Sequence, residues 1–296
     1  MKKILFTGSG VAIVTPFDEN NNVNFSKLGE LIDYQIDNGT DAIIICGTTG
    51  EGSTLTHEEH SDAIKYCVEH TAGRVPVIAG TGSNDTEYAV RLSNEAERAG
   101  VDGLLMVTPY YNKTSQEGLI RQYEYIANNV SAPIILYNVP SRTGMNIAPE
   151  TYYELSKIDK IVGTKEASGN ISHIASVAAL CGDNLAIYSG NDDEITAIMS
   201  LGGKGIISVL SHVAPRVAHD IAASYLEGDV IKSRNLQLEW LDLCHDLFID
   251  VNPIPVKEAL NMMGWNVGEC RMPLAPMSEA KREKLRASLR RHGLVD

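Results

Sequence analysis

The sequence predicts an α/β fold, a (β/α)8 TIM barrel with a helical C-terminal extension. Eight short apolar, β-branched runs alternate with eight helical stretches over about 225 residues, the usual length of such a barrel. The runs are continuously apolar rather than alternating, which strands buried on both faces require. The doubly wound sheet, the main competitor, would need a glycine-rich dinucleotide fingerprint after the first run, and none is there.

Val11–Pro16 reads as the first strand, closed by proline. Ser26 caps an amphipathic helix that stops at Asn38-Gly39. Asp41–Cys46 is the second strand, followed by the loop Gly47-Thr48-Thr49-Gly50-Glu51-Gly52 and the capping box Thr56–Glu59. Val75–Ala79 is the third, with Asn84 and Glu87 opening the next helix, and Asp102–Val107 is the fourth, followed by Thr108-Pro109-Tyr110-Tyr111. A helix over Gln116–Asn128 leads to the fifth strand, Pro133–Tyr137, and to Asn138-Val139-Pro140-Ser141-Arg142-Thr143-Gly144. Pro149 starts a helix, where its missing N–H costs nothing. The sixth strand begins at Ile161 and ends in the turn residues before Asn170, which caps its helix. Leu185–Ser189 and Lys204–Val209 are the last two strands, and a helix from about Pro215 follows them.

Past residue 229 the apolar runs stop, and 229–250, 254–263 and 278–292 read as helices, the last strongly basic. The expected division is therefore a catalytic barrel over 1–228 and an extension over 229–296, packed on the barrel or on a neighbouring subunit.

The 296 residues have the composition of a soluble globular protein, 44% hydrophobic. No apolar run approaches a membrane span, and Met1–Phe6 is too short for a signal peptide. The five cysteines are scattered and form no CxxC pair, as expected of reduced thiols in a cytoplasmic protein. A net charge of −13 argues against nucleic acid or an anionic membrane as partner. It also repels small anionic substrates at long range, so a carboxylate substrate needs local cations, for which Lys165 and Arg142 are the candidates.

Lys165 sits at the edge of the sixth run, where the strand gives way to a loop. In this fold chemistry collects at the carboxyl ends of the strands. Thr48, Thr49, Tyr111, Tyr137 and Gly190 fall at the same kind of position, so groups able to relay protons converge with the lysine. An amine of ordinary pKa ~10.4 is unprotonated in only about one molecule in 2,500 at pH 7. Making it nucleophilic takes roughly 4–5 kcal/mol, which burial and a nearby cation can supply. Taken singly, each residue also has a plain reading: a solvated lysine, packing tyrosines, turn threonines, a surface arginine.

Gly47–Glu51, Tyr110-Tyr111, Tyr137–Gly144 and Gly163-Thr164-Lys165-Glu166-Ala167 together resemble the class I pyruvate-dependent aldolases and, within them, the dihydrodipicolinate synthase family. The motifs run in order from about Thr7 through the C-terminal helices. The resemblance implies that Lys165 forms a Schiff base with pyruvate and that Tyr137 is the acid/base beside it. Thr48 and Tyr111 complete a proton relay, the latter reaching across a tight dimer. Thr49 holds the pyruvate carboxylate, Arg142 binds the carboxylate of L-aspartate 4-semialdehyde, and backbone groups of Gly190 and Ile207 finish the site. It further implies a homotetramer, a dimer of dimers, without metal or cofactor.

His57, His60, Asn84 and Tyr110 match a lysine-binding inhibitory site of that family at the dimer interface. Tyr88 stands where feedback-inhibited bacterial relatives often carry glutamate, and Gly52 and Ser53 replace their Ser-Ala, so weak or absent lysine feedback is expected. His57 and His60 lack HExxH spacing and a third ligand, which favours a solvated helix start over a metal site. The competing functions are an N-acetylneuraminate lyase or keto-deoxy-sugar acid aldolase, a non-catalytic pyruvate-sensing relative, and a phosphate-binding barrel using Gly80-Thr81-Gly82-Ser83-Asn84. The arginine of Pro-Ser-Arg-Thr-Gly discriminates against the sugar-acid enzymes.

Overall fold

The computed structural model describes residues 2–296. Eight parallel strands close on themselves in chain order, with β8 hydrogen-bonded back to β1. They are β1 (Gly8–Ala12), β2 (Ala42–Ile45), β3 (Val77–Gly80), β4 (Gly103–Val107), β5 (Ile134–Asn138), β6 (Ile161–Glu166), β7 (Ala186–Ser189) and β8 (Gly205–Ser208).

Alternate strand residues face two different cores. Ile44, Ile78, Ile135, Val162, Tyr188 and Ile207 meet in the barrel interior, whereas Ile43, Ile45, Leu104, Leu136, Ile161 and Ile187 pack outward against the helical ring. Phe6 fills the interior below β1, its ring stacked on Tyr188 at 4.5 Å.

The first strand lies earlier than its apolar run suggests. Gly8-Ser9-Gly10 has no strand propensity, yet the barrel needs it: a Cβ on Gly10 would lie 2.6 Å from Ile44 Cδ1 and 2.9 Å from the Phe6 ring. Two helix starts also differ from expectation. Asn24, rather than Ser26, caps Phe25–Asp37, accepting from Lys27 N–H at 3.0 Å. Asp85, rather than Asn84, caps Thr86–Ala99. The capping box at Thr56–Glu59 and the Asn170 cap form as read.

The stretch 229–250 is not one helix. Val230–Glu239 and Leu241–Asp246 meet at Trp240, whose indole stacks on His292 at 4.2 Å. Helices Ile254–Met262 and Glu279–Arg291 complete the chain. This region is tied to the mouth of the barrel by a buried ion pair. Lys257 Nζ donates to Glu51 Oε1 at 2.9 Å, Thr15 O at 3.1 Å and Glu269 O at 2.8 Å. Among the described residues, no helix is long and apolar enough to cross a membrane.

Candidate active site

Strands β5 and β6 run side by side in a register that pairs Tyr137 with Lys165 and Asn138 with Glu166. The parallel ladder therefore delivers the lysine and the tyrosine to one level at the carboxyl end of the barrel. Both are buried, Lys165 to 5% exposure and Tyr137 to 6%. The amine lies over the phenol ring, Nζ 4.5 Å from its centroid, a distance at which the ring face attracts a cation.

Gly190, just beyond β7, closes the other side of the lysine. Its N–H donates to Glu166 O at 2.7 Å, and a Cβ there would come within 3.2 Å of Lys165 Cε. Ile207 is fully buried on β8 and shares the interior cluster with Tyr137.

The charged neighbour is the opposite of the cation expected from sequence. Asp192, buried after β7, has its carboxyl pushed up by desolvation, while hydrogen bonds and the positive charge of Lys165 pull it back. Ser208 Oγ donates to it at 2.6 Å, and the N–H groups of Val209 and Leu210 donate at 2.9 Å each.

One residue on from the reactive pair, Asn138 and Glu166 join on the outer face of the same two strands. Asn138 Nδ2 donates to Glu166 Oε1 at 2.7 Å, and Tyr152 OH donates to Oε2 at 3.2 Å. Burial raises the Glu166 carboxyl to about 7 against these hydrogen bonds. Asn138 also binds Asn146 Oδ1 at 2.7 Å and accepts from Ile147 N–H at 3.1 Å. It thus pins both ends of the loop that carries Arg142. Pro140–Thr143 forms a single helical turn there, ended by Gly144 in the left-handed region.

Thr48 and Thr49 occupy a tight loop after β2, in which Cys46 and Glu51 both take positive φ. Thr15 Oγ1 ties it down by donating to Gly50 O at 2.6 Å. Asn252, from the C-terminal extension, reaches both ends of the site. Its Nδ2 donates to Thr49 Oγ1 at 2.9 Å, and its backbone oxygen accepts from Arg142 Nη2 at 3.1 Å. Asn252 Oδ1 is buried, and no described group donates to it. An orphan of this kind costs about 1–3 kcal/mol.

A cavity of about 380 Å³ is lined by Thr48, Tyr137, Arg142, Val139, Leu105 and Val107 among others, whereas Lys165, Thr49, Gly190 and Ile207 lie outside its lining. His60, Tyr88 and Tyr110 also line it. Tyr111 does not join it. The residue has φ 64 and is 91% exposed, so within one chain the expected convergence of Tyr111 on the mouth fails.

The residues read as an effector site are only partly gathered. His60, its pKa lowered by burial, bonds the Gly80 carbonyl at 2.9 Å. His57 turns instead to Tyr88 OH at 3.4 Å and Glu95 at 3.1 Å, while Asn84 donates to Tyr110 O at 3.2 Å. Among the described residues, no three metal-binding side chains cluster.

The glycine loop after β3 serves packing rather than phosphate. A Cβ on Gly80 would sit 2.5 Å from Cys46 O, and one on Gly82 2.4 Å from Val107 N. The helix start behind them is already occupied by the Asp85 carboxylate, which accepts from the N–H groups of Glu87 and Tyr88.

Asp192, Glu166, Asn138 and Asn252 take part in this site without having been singled out by sequence. Asn138 and Glu166 carried a signal, each adjoining a reactive residue on a buried strand. Asn252 carried none.

Comparison with known proteins extends over the whole barrel and the helices that follow it. The profile of the Dihydrodipicolinate synthetase family matches residues 5–292. A 4-hydroxy-tetrahydrodipicolinate synthase of Lachnoclostridium phytofermentans is 58% identical over 292 residues, 98% of this chain and 99% of that one. One from Acetivibrio thermocellus is 52% identical over 295 residues, the full length of both. The crystal structure of dihydrodipicolinate synthase from Aquifex aeolicus superposes with a TM-score of 0.95 at 44% identity, covering 98% of this chain and 99% of that one. The enzyme from Cyanidioschyzon merolae with lysine bound gives 0.96 at 36% identity, covering 99% and 100%. With identity this high from end to end, the chain belongs to the dihydrodipicolinate synthetase family.

Proposed function

We propose that this chain condenses pyruvate with L-aspartate 4-semialdehyde through a Schiff base on Lys165, giving 4-hydroxy-tetrahydrodipicolinate. The reaction is the first committed step of lysine biosynthesis through diaminopimelate, and it makes the chain a lyase of the Schiff-base aldolase class. The observation that carries this reading is the buried Lys165 amine held over Tyr137 by strand register.

In its neutral form the amine adds to the ketone carbon of pyruvate. Protons move to the departing oxygen, water leaves, and a cationic iminium remains. That nitrogen draws electrons from the methyl carbon, which loses a proton and becomes an enamine nucleophile. The enamine carbon attacks the aldehyde, whose oxygen is protonated. The amino group of the second substrate then adds to the iminium carbon, closes the ring and releases Lys165.

Each step moves a proton, and Tyr137 with Thr48 and Tyr111 is the relay we assign. The exposure of Tyr111 supports its donation to a second subunit, and we take the assembly to be a homotetramer built as a dimer of dimers. Asp192 suits the intermediate, since a buried carboxylate favours a cationic nitrogen nearby. Thr49 takes the pyruvate carboxylate, Arg142 that of the semialdehyde, and backbone groups of Gly190 and Ile207 complete the pyruvate subsite. We take residues 1–228 as the catalytic barrel and 229–296 as its extension, and the cytoplasm as its location.

The test is borohydride reduction with pyruvate present, followed by peptide mass mapping. A pyruvate-derived adduct on Lys165 is expected, and its absence would refute the reading.

A further inference from the structure

Asn252 lies more than 200 positions from Thr49 in sequence, yet its amide nitrogen is the group that meets the Thr49 hydroxyl. A hydroxyl has one proton to give and lone pairs to receive with. Because Asn252 Nδ2 donates to Thr49 Oγ1 at 2.9 Å, a lone pair is taken and the hydroxyl proton stays free to be given elsewhere. That is the polarity a carboxylate needs, since an ionised carboxylate only accepts. Both side chains are buried, Thr49 to 2% exposure and Asn252 to 6%, so water is poorly placed to substitute for this bond. The other end of the amide is bound by no described group, which leaves Thr49 as the hydrogen-bond partner that orients it.

We infer that Asn252 is a positioning residue for the keto acid: it fixes the Thr49 hydroxyl as a donor toward the substrate carboxylate, making the C-terminal extension part of the pyruvate site. The inference rests on the functional reading above. It separates from the Arg142 contact, because that contact uses the Asn252 backbone oxygen, which every side-chain variant keeps.

The experiment measures borohydride trapping of pyruvate on Lys165 across a pyruvate titration. It compares the unsubstituted chain with Asn252→Ala, Thr49→Val and the double variant, each checked for a cooperative thermal transition. The pyruvate concentration for half-maximal trapping should rise about tenfold in Thr49→Val and about fivefold in Asn252→Ala, as expected for one lost hydrogen bond to a charged group. The double variant should match Thr49→Val alone, and turnover of Asn252→Ala at saturating pyruvate should stay within about threefold. Unchanged half-saturation in Asn252→Ala, or effects that multiply in the double variant, would overturn the inference. Absence of any adduct in the unsubstituted chain would overturn the functional reading instead.

Discussion

Replacing Gly190 by alanine tests whether the lysine is held as tightly as the geometry implies. The added Cβ would meet Ala167 Cβ at 2.7 Å, Glu166 O at 3.0 Å and Lys165 Cε at 3.2 Å. Ordinary carbon contacts begin at about 3.5 Å, so the worst overlap is about 0.8 Å. All three contacts belong to one consecutive segment, residues 165–167, so relief shifts either that segment, which carries the amine, or the turn at Gly190 that packs on it. Overpacking of this kind costs about 1–3 kcal/mol in stability. A displacement near 1 Å of a reacting group costs up to about a hundredfold in rate. Single-turnover trapping of pyruvate by borohydride should therefore slow by about 10- to 100-fold, while thermal denaturation shows a folded protein melting a few degrees lower. A trapping rate within twofold of the unsubstituted chain would show that Lys165 is not confined by Gly190, and the reasoning would fail.

Three further outcomes follow from other contacts. Arg142→Ala should leave pyruvate trapping on Lys165 within about threefold but cut turnover with the semialdehyde by about a hundredfold or more, measured in an assay coupled to a dihydrodipicolinate reductase; equal losses in both would sink the assignment. On the expectation that Tyr88, which bonds His57, stands in place of an amine-binding carboxylate, added lysine should inhibit weakly or not at all, and a titration showing inhibition at low micromolar lysine would contradict this. The Glu166 carboxyl, raised by burial to about 7, holds its proton in the folded chain at pH values where the unfolded chain has lost it. The sign is that of a group whose ionisation opposes folding: it lowers stability progressively as pH rises from the ordinary carboxylate range to about 7. Glu166→Gln should remove that part of the slope in melting temperature against pH, and an unchanged slope would refute the assignment.

What the sequence made legible was whatever is encoded locally. Strand and helix alternation, the Thr56 capping box and the lysine at the end of β6 are written within a few residues of themselves, and they recur in the structure. The start of the first strand escaped because Gly8 and Gly10 are chosen for what they avoid, the Asp41 side chain at Gly8 and the Ile44 and Phe6 side chains at Gly10, which no propensity records. The Trp240 break escaped because no glycine or proline marks it, and the ring of His292 on which its indole stacks lies 52 positions further along the chain. The same logic governs the site. Tyr137 and Lys165 announce themselves, but the groups that hold the rest in place come from far along the chain. Asn252 reaches Thr49 and Arg142, and Lys257 reaches Glu51 in the loop that carries Thr48 and Thr49. With the Lys257 and Glu51 side chains only 2% exposed, removing one charge strands the other without water. This pair therefore couples the integrity of the extension to the shape of the Thr48–Thr49 loop. The extension is then not an accessory helical tail. It is the part of the chain that converts a barrel mouth with the right residues into one with those residues fixed, which is why a reading of strand ends alone finds the chemistry and misses its support.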